Sequence, residues 1–133
     1  MEWIVQRNLS FSSLRAEMKQ IGRDFQITVE GGEKPHIGCV VLAVPRPSLK
    51  DSSQTSCTSS VINLTGHKEE AVCRILAEQV ASAKNATVIC TGGFHIDHIS
   101  EEQLSEVIRA ANEIAGELVC KKTDSIKGEK NGL

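Results

Sequence analysis

Aromatic residues are scarce, with one Trp, three Phe and no Tyr in 133 residues. Base-stacking platforms for single-stranded nucleic acid are made from such side chains, so there is almost nothing from which to build one. The formal net charge is −2, with 15 Lys and Arg against 17 Asp and Glu, and the cations are scattered except in the last residues. A nucleic-acid binder normally shows a basic face, and that class is set aside. No apolar run approaches the roughly 18 residues of a membrane-spanning helix. The acidic Glu2 is followed by no apolar export core, so the expected location is the cytoplasm. The five cysteines, Cys39, Cys57, Cys73, Cys90 and Cys120, are odd in number, lack C-x-x-C spacing and fall in apolar stretches. That pattern supports neither a disulfide framework nor a zinc ribbon, and they read as small buried hydrophobes. The phosphate-loop, dinucleotide, nucleophile-elbow and H-E-x-x-H signatures are all missing, which removes the commonest nucleotide, hydrolase and zincin assignments. No catalytic residue is written in the sequence, and binding is the safer class.

What is present is a pattern. With 40% hydrophobic and 24% charged residues, the chain fits one globular domain with a sizeable core. From Trp3 to Val29 apolar and polar residues alternate, as expected for strands with one wet face joined as antiparallel hairpins. Ile37 to Val44 is continuously apolar, predicting a central strand buried on both faces and stopped by Pro45-Arg46-Pro47. A polar loop over Ser48–Ser56 leads to a further strand from Cys57 to Leu64. Helical spacing of Val72, Ile75, Leu76, Val80 and Ala83 predicts a helix over Lys68–Lys84 that ends at Asn85. Ala86–Cys90 reads as a buried strand, and Leu104, Val107, Ile108, Ala111, Ile114, Ala115 and Leu118 mark a last helix from about Glu101 to Cys120. The expected architecture is α+β in the order βββββαβα, a mostly antiparallel sheet with two late helices. It forms a single domain over residues 1–120, followed by a disordered charged tail over 121–133. Two helices cover one face of such a sheet. The other face, if apolar, calls for a second sheet layer or a partner subunit, so a homodimer is expected.

Thr91-Gly92-Gly93-Phe94-His95-Ile96-Asp97-His98-Ile99-Ser100 is the most concentrated chemistry in the chain. The glycines read as a turn that lets a backbone approach a ligand, and Ser100 with Gln103 forms a capping box whose helix start offers free amides to an anion. His95, Asp97 and His98 can ligate a metal or orient a polar ligand, and they can equally cap and solvate a helix entry. All four histidines fall at element ends, His36 before the central strand and His67 at the first helix. Gly38 would admit a flat ligand or another backbone against the sheet. Arg46, held between prolines, can grip a phosphate or carboxylate bidentately, and the hydroxyl-rich run from Thr55 and Ser56 to Ser60 can meet an oxygen-rich ligand. Thr65-Gly66-His67-Lys68 opens a helix as a second phosphate or metal cradle. As ordinary structure, each of these is a solvated loop residue or a helix cap.

Gly31-Gly32, Pro35-His36-Ile37-Gly38, Pro45-Arg46-Pro47-Ser48, His67-Lys68-Glu69 and Gly93-Phe94-His95-Ile96-Asp97-His98-Ile99, in this order, resemble the LpdD-like family across roughly Val5 to Leu118. These are small proteins associated with gallate and related phenolic-acid decarboxylases of the UbiD type. The resemblance implies a chaperone that carries prenylated FMN, or FMN, to the apo-decarboxylase subunit, with a fold like that of proteasome assembly chaperones and a dimeric state. It makes His36, Arg46, His67, His95 and Asp97 the leading ligand-site residues, with Gly38, Gly92 and Gly93 allowing close approach. The flavin phosphate would be met by helix-start amides and Arg46 or Lys68. A divalent metal is an open alternative, on His67, His95, Asp97 and His98. The missing aromatics depart from what an isoalloxazine ring favours, so aliphatic contacts or a dimer cleft would have to supply its apolar face. Two other classes stay open, a cofactor-free assembly factor and a small metal-dependent enzyme.

Overall fold

In a computed structural model of the chain, residues 1–64 and 67–124 are described, with the backbone alone for 67–69. The elements are β1 (Glu2–Asn8), β2 (Ser13–Ile21), β3 (Asp24–Gly32), β4 (Cys39–Pro47), β5 (Thr55–Asn63), α1 (His67–Lys84), β6 (Val88–His95) and α2 (Glu101–Val119). They follow the βββββαβα order that the periodicities predict. All six strands form one sheet in the order β1-β2-β3-β6-β4-β5, antiparallel at every seam except β3–β6, which is parallel.

Alternation along the strands puts every second residue under the helices. Val5, Leu14, Ala16, Met18, Phe25, Ile27, Val29, Val41, Val88 and Cys90 are buried there. They meet Val72, Leu76, Ala77 and Val80 of α1 and Val107, Ala111, Ile114 and Leu118 of α2. Each large aliphatic side chain removed from water contributes roughly 1.5–3 kcal/mol, which is why this layer holds the fold. Both helices lie on the same side of the sheet, α1 over β4, β5 and β6 and α2 over β1 and β2. The expected capping box is present: Ser100 Oγ accepts from the Gln103 amide at 3.0 Å and Gln103 Oε1 accepts from the Ser100 amide at 2.9 Å. Asn85 follows α1 with φ of 50°, the left-handed conformation that Asn tolerates at a helix end. α2 is tied to the β1 region by Arg7, whose Nη2 donates to Glu117 at 2.8 Å. Ser10 adds to this, its amide and hydroxyl donating to Glu106 at 2.6 and 2.8 Å. Past α2, Gln20 and Asp124 exchange two hydrogen bonds of 2.8 and 2.9 Å; tail residues 125–133 lie outside the described residues.

Three local expectations are corrected. β4 is buried on one face only: Cys39, Val41 and Ala43 are covered, while Leu42 and Val44 remain 39% and 44% exposed. An unbroken apolar run does not distinguish burial between two layers from burial under one, and here no helix reaches the second face. Next, β4 does not stop at Pro45 but runs on through Arg46 to Pro47. Its pairing with β6 ends at Ala43, so both prolines sit where the strand has a neighbour on one side only, the place where a missing N–H is tolerated. The β4–β5 loop is correspondingly shorter than expected, since Thr55 and Ser56 already belong to β5. Finally, the cysteines are not uniformly buried: Cys39, Cys73 and Cys90 are, Cys57 is intermediate and Cys120 is exposed. Burial, and then the neighbouring Cys73, pushes the Cys90 thiol well above its ordinary range, so it stays protonated and inert.

Candidate functional site

The face of the sheet away from the helices is open, and its chemistry gathers at one end. Gly92 and Gly93 are not a turn there. Both lie within β6, pairing with Val29 and Glu30 of β3. Gly92 has φ of 146°, and a Cβ on it would run into the Val29 carbonyl oxygen, so the close parallel seam requires glycine at this position. Gly93 points to the open side, where a Cβ would come within 3.0 Å of the His36 imidazole. The segment before β4 is held over this spot by Gly38, whose amide donates to Gly92 O at 2.9 Å. His36 therefore lies against the bare backbone of β6.

His36 Nδ1–H donates to Lys34 O at 2.8 Å, which fixes the ring's orientation. Its ring stands edge-on to that of His95, with centroids 6.2 Å apart and planes at 82°. His95 closes β6, and its Nε2–H donates to Asp97 Oδ1 at 2.8 Å. This hydrogen bond, with the charge of His95 behind it, holds the Asp97 carboxyl below its ordinary value. Beside the two histidines a hollow of about 280 Å³ opens over the sheet, lined by Thr28, Glu30, His36, Ile37, Thr91 and Gly92 among others. A comparable hollow of about 300 Å³ lies over β1, β2 and β3, lined by Ile4, Glu17, Lys19 and Gln26 among others and by no histidine. Coordinating or acid–base chemistry belongs to the first.

Of the residues expected in one site, His36, Gly38, Gly92, Gly93, His95 and Asp97 come together. Arg46, Thr55 and Ser56 do not join them. Arg46 shares the open face with Val40, Leu42 and Val44 but lies at the far end of β4, about 23 Å along the strand from Cys39 at the usual rise per residue. There its Nε donates to Thr58 Oγ1 at 2.8 Å and its Nη1 to Pro47 O at 3.0 Å, with Ser56 opposite in register. No carboxylate pairs with it among the described residues. The His67 and Lys68 side chains lie outside the described residues, although α1 does begin at His67. His98 occupies a left-handed turn, φ 55°, and acts on Asp97 only as the weakest of several charges. The metal set is not supported. Among the described residues no group of three or more His, Cys, Asp or Glu side chains is arranged to hold an ion.

Residues that the sequence did not point to are Thr28 and Glu30 at the hollow and the aliphatic row Val40, Leu42, Ile62 and Ile89 beside it, while Thr91 and Ile37 lay within the stretches singled out but were given no role. The alternation of β3 and β5 already assigned each strand a second face. The missing information was that β6 separates β3 from β4, which brings these faces side by side. No Phe or Trp lines the hollow at His36. Phe11 and Phe94 pack edge-to-face at 6.2 Å on the helix side, Lys84 lies over Phe25, and Trp3 packs on the core.

No helix of the described residues is long and apolar enough to cross a membrane. No functionally curated protein matches the sequence. Among solved structures, a chain of "a novel chaperone complex for yeast 20S proteasome assembly" is similar, with a TM-score of 0.50 and 15% identity. The match covers 89% of this chain and 94% of that one. At that identity the likeness speaks for the fold, which is that of a proteasome assembly chaperone. Residues 10–123 match the profile of the prenylated flavin chaperone LpdD-like domain, nearly the whole described chain, and the protein belongs to that family.

Proposed function

We propose that this protein binds prenylated FMN, or FMN itself, on its open sheet face and hands it to the apo form of a UbiD-type decarboxylase subunit in the cytoplasm. It acts as a homodimer. The observation that supports this reading is the hollow of about 280 Å³ lined by Thr28, His36, Thr91 and Gly92, with the His95 ring 6.2 Å from that of His36 and the aliphatic Val40 paired with Thr91 on the next strand. A flat ring needs an apolar floor and a few polar groups at its edge. Val40, Leu42 and Ile89 supply the first, standing in for the missing aromatics, and His36, His95, Thr28 and Thr91 supply the second. Gly93 has no side chain, and this lets the His36 imidazole lie close against β6 at the edge of the hollow. The residues thus fit the ring portion of a flavin, whereas among the described residues no Lys or Arg lines the hollow.

A carrier must also release its cargo, and an open, shallow site suits that better than an enclosed one. The exposed aliphatic face favours a second reading, a cofactor-free assembly factor that docks a partner subunit there. Calorimetric titration with reduced prenylated FMN and with FMN under anaerobic conditions separates the two. Specific binding weakened at least tenfold by His36→Ala and by His95→Ala supports the carrier. No heat and no spectral change with either flavin would overturn it, and capture of a decarboxylase subunit by flavin-free protein would then establish the assembly role.

A further inference from the structure

Resting on the homodimeric part of that reading, we propose that two copies join edge to edge, β5 pairing antiparallel with β5 of the partner subunit about Ser60, into one continuous sheet. β5 ends the sheet, and among the described residues no strand lies beyond it. The Leu64 amide donates to Gly38 O and the Ser48 amide to Gln54 O, both at 2.8 Å, so the even-numbered residues here turn their backbone groups to β4. The alternation of a strand then turns the amides and carbonyls of Thr55, Cys57, Ser59, Val61 and Asn63 outward. Edges are ordinarily blunted by charge, proline or a bulge. β1, at the opposite edge, carries Glu2 and Arg7, whereas β5 holds no charge, proline or glycine and keeps an unbroken register with β4. Such an edge suits the addition of a strand.

A second copy fits it because the charges of α1 match under a two-fold axis. Glu70 accepts from Asn63 Nδ2 at 3.2 Å, and Glu78 accepts from the Ser59 hydroxyl, so α1 runs antiparallel to β5. Arg74, one turn from each and donating to Glu78 at 3.3 Å, stands level with Val61. Outward residues pair only with outward residues, which leaves few registers. Ser59 opposite Ser59 of the partner subunit sets carboxylate against carboxylate at Glu78. Ser59 opposite Cys57 of the partner subunit leaves Arg74 facing no acid. Ser59 opposite Val61 of the partner subunit sets Glu78 against Arg74 of the partner subunit, twice by symmetry. Glu70 then comes level with Cys57 of the partner subunit, where the helix carries the neutral Ser82. On the open face Ser60 meets its own counterpart and Thr58 meets Ile62 of the partner subunit. Arg46, which donates to Thr58, comes beside the same apolar side chain. The outward pairs, Cys57 with Asn63 and Ser59 with Val61, each occurring twice, exchange about eight backbone hydrogen bonds.

The axis stands perpendicular to the sheet. Both helix layers therefore stay on one side and both open faces on the other. The hollow at His36, with Val40 and Leu42 beside it, is left uncovered in each copy. A carrier joined in this way dimerises without closing the surface that it loads and unloads.

The pairing is tested without flavin. In analytical ultracentrifugation the wild type is expected to be a dimer. Arg74→Glu and Glu78→Arg are each expected to raise its dissociation constant at least tenfold, since each variant presents like charges to its own copy. Mixed one to one, the two variants are expected to associate with each other, because every charge across the seam then meets its opposite. In a background of Cys57→Ser and Cys120→Ser, the remaining cysteines are buried. There Ser60→Cys is expected to form an intermolecular disulfide under oxidised glutathione, because the Cα atoms of such a facing pair stand about 4.5 Å apart. Thr58→Cys, on the same face but about 13 Å from its counterpart, is expected not to. A monomeric wild type overturns the homodimer and this pairing together. A dimeric wild type whose variants gain nothing by mixing, or whose Ser60→Cys form cross-links no faster than Thr58→Cys, overturns the edge pairing and leaves the homodimer standing. Titration of the same dimer with FMN and reduced prenylated FMN reads the carrier function separately, since failure to bind either refutes that function and leaves the pairing intact.

Discussion

Replacing Gly92 by Ala is the most direct test of how β6 enters the sheet. Gly92 is buried with φ of 146°, and a Cβ added there meets Val29 backbone across the parallel β3–β6 seam. Two costs combine. An L-residue held in that backbone region carries strain of about 1–3 kcal/mol. Unless the strand relaxes, β3 must also retreat, weakening one or two ladder hydrogen bonds at about 1 kcal/mol each. The expected loss is about 2–5 kcal/mol, a large share of the roughly 5–15 kcal/mol that holds a domain of this size. Urea unfolding followed by Trp3 fluorescence and far-ultraviolet circular dichroism measures it, with a melting temperature lower by about 8–20 °C. Gly116→Ala is the control. It sits on α2 with nothing within 4 Å of an added Cβ. Alanine is expected to stabilise that helix by about 1 kcal/mol or slightly less. If Gly92→Ala unfolds within about 0.5 kcal/mol of wild type, the glycine pair is not strand backbone pressed against β3, and the description of the site falls with it.

Gly93→Ala acts on the other side of β6, where the added Cβ meets the His36 segment. It is expected to cost less stability than Gly92→Ala yet to weaken FMN binding at least tenfold, read from melting curves and titration of one preparation. Ile114→Ala removes a fully buried side chain between α2 and the sheet and is expected to cost about 2–5 kcal/mol by denaturant titration. Asp97, Glu106 and Glu117 are all held below their ordinary carboxyl values by hydrogen bonds from His95, Ser10 and Arg7. A carboxyl depressed in the folded state adds stability above its unfolded value, and this is lost as pH falls through the folded one. Stability is therefore expected to decline below about pH 4.5, where unfolded carboxyls begin to protonate. Glu117→Gln flattens that decline in unfolding titrations at successive pH values, and an unchanged slope refutes the Arg7–Glu117 tie as its source.

The helices were legible because their signals are local. α2 carries its apolar stripe and its own capping box, and Asn85 ends α1 in a conformation that Asn accepts. The glycine pair misled for the opposite reason. Read alone, Thr91-Gly92-Gly93 is a turn, since glycine is the commonest breaker, and only the arrival of β3 alongside makes it a strand that must lack side chains. Pro45 and Pro47 misled in the same way, because whether a proline ends a strand depends on which neighbours the strand has at that point. His36 and His95 were each singled out from their positions at element ends. Their meeting depends on β4 pairing with β6, a long-range fact that no window of sequence contains. Arg46 was grouped with them on its chemistry, and strand length separates them within one copy.

The two faces of the sheet answer to different requirements. On the helix side each apolar residue is explained by the core it fills, from Leu14 and Ile27 to Ile114 and Leu118. On the open side Leu42, Val44 and Ile62 stay 39%, 44% and 63% exposed, so they gain little from folding of the single chain. Polar residues there would fold equally well and resist aggregation better, as β2 shows by carrying Arg15, Glu17 and Lys19 on the same face. The aliphatic strip instead runs beside the hollow at Thr91 and Gly92, with the two imidazoles at its edge. An apolar strip that folding does not need, running into polar groups that the core does not use, is accounted for by what it contacts outside its own chain.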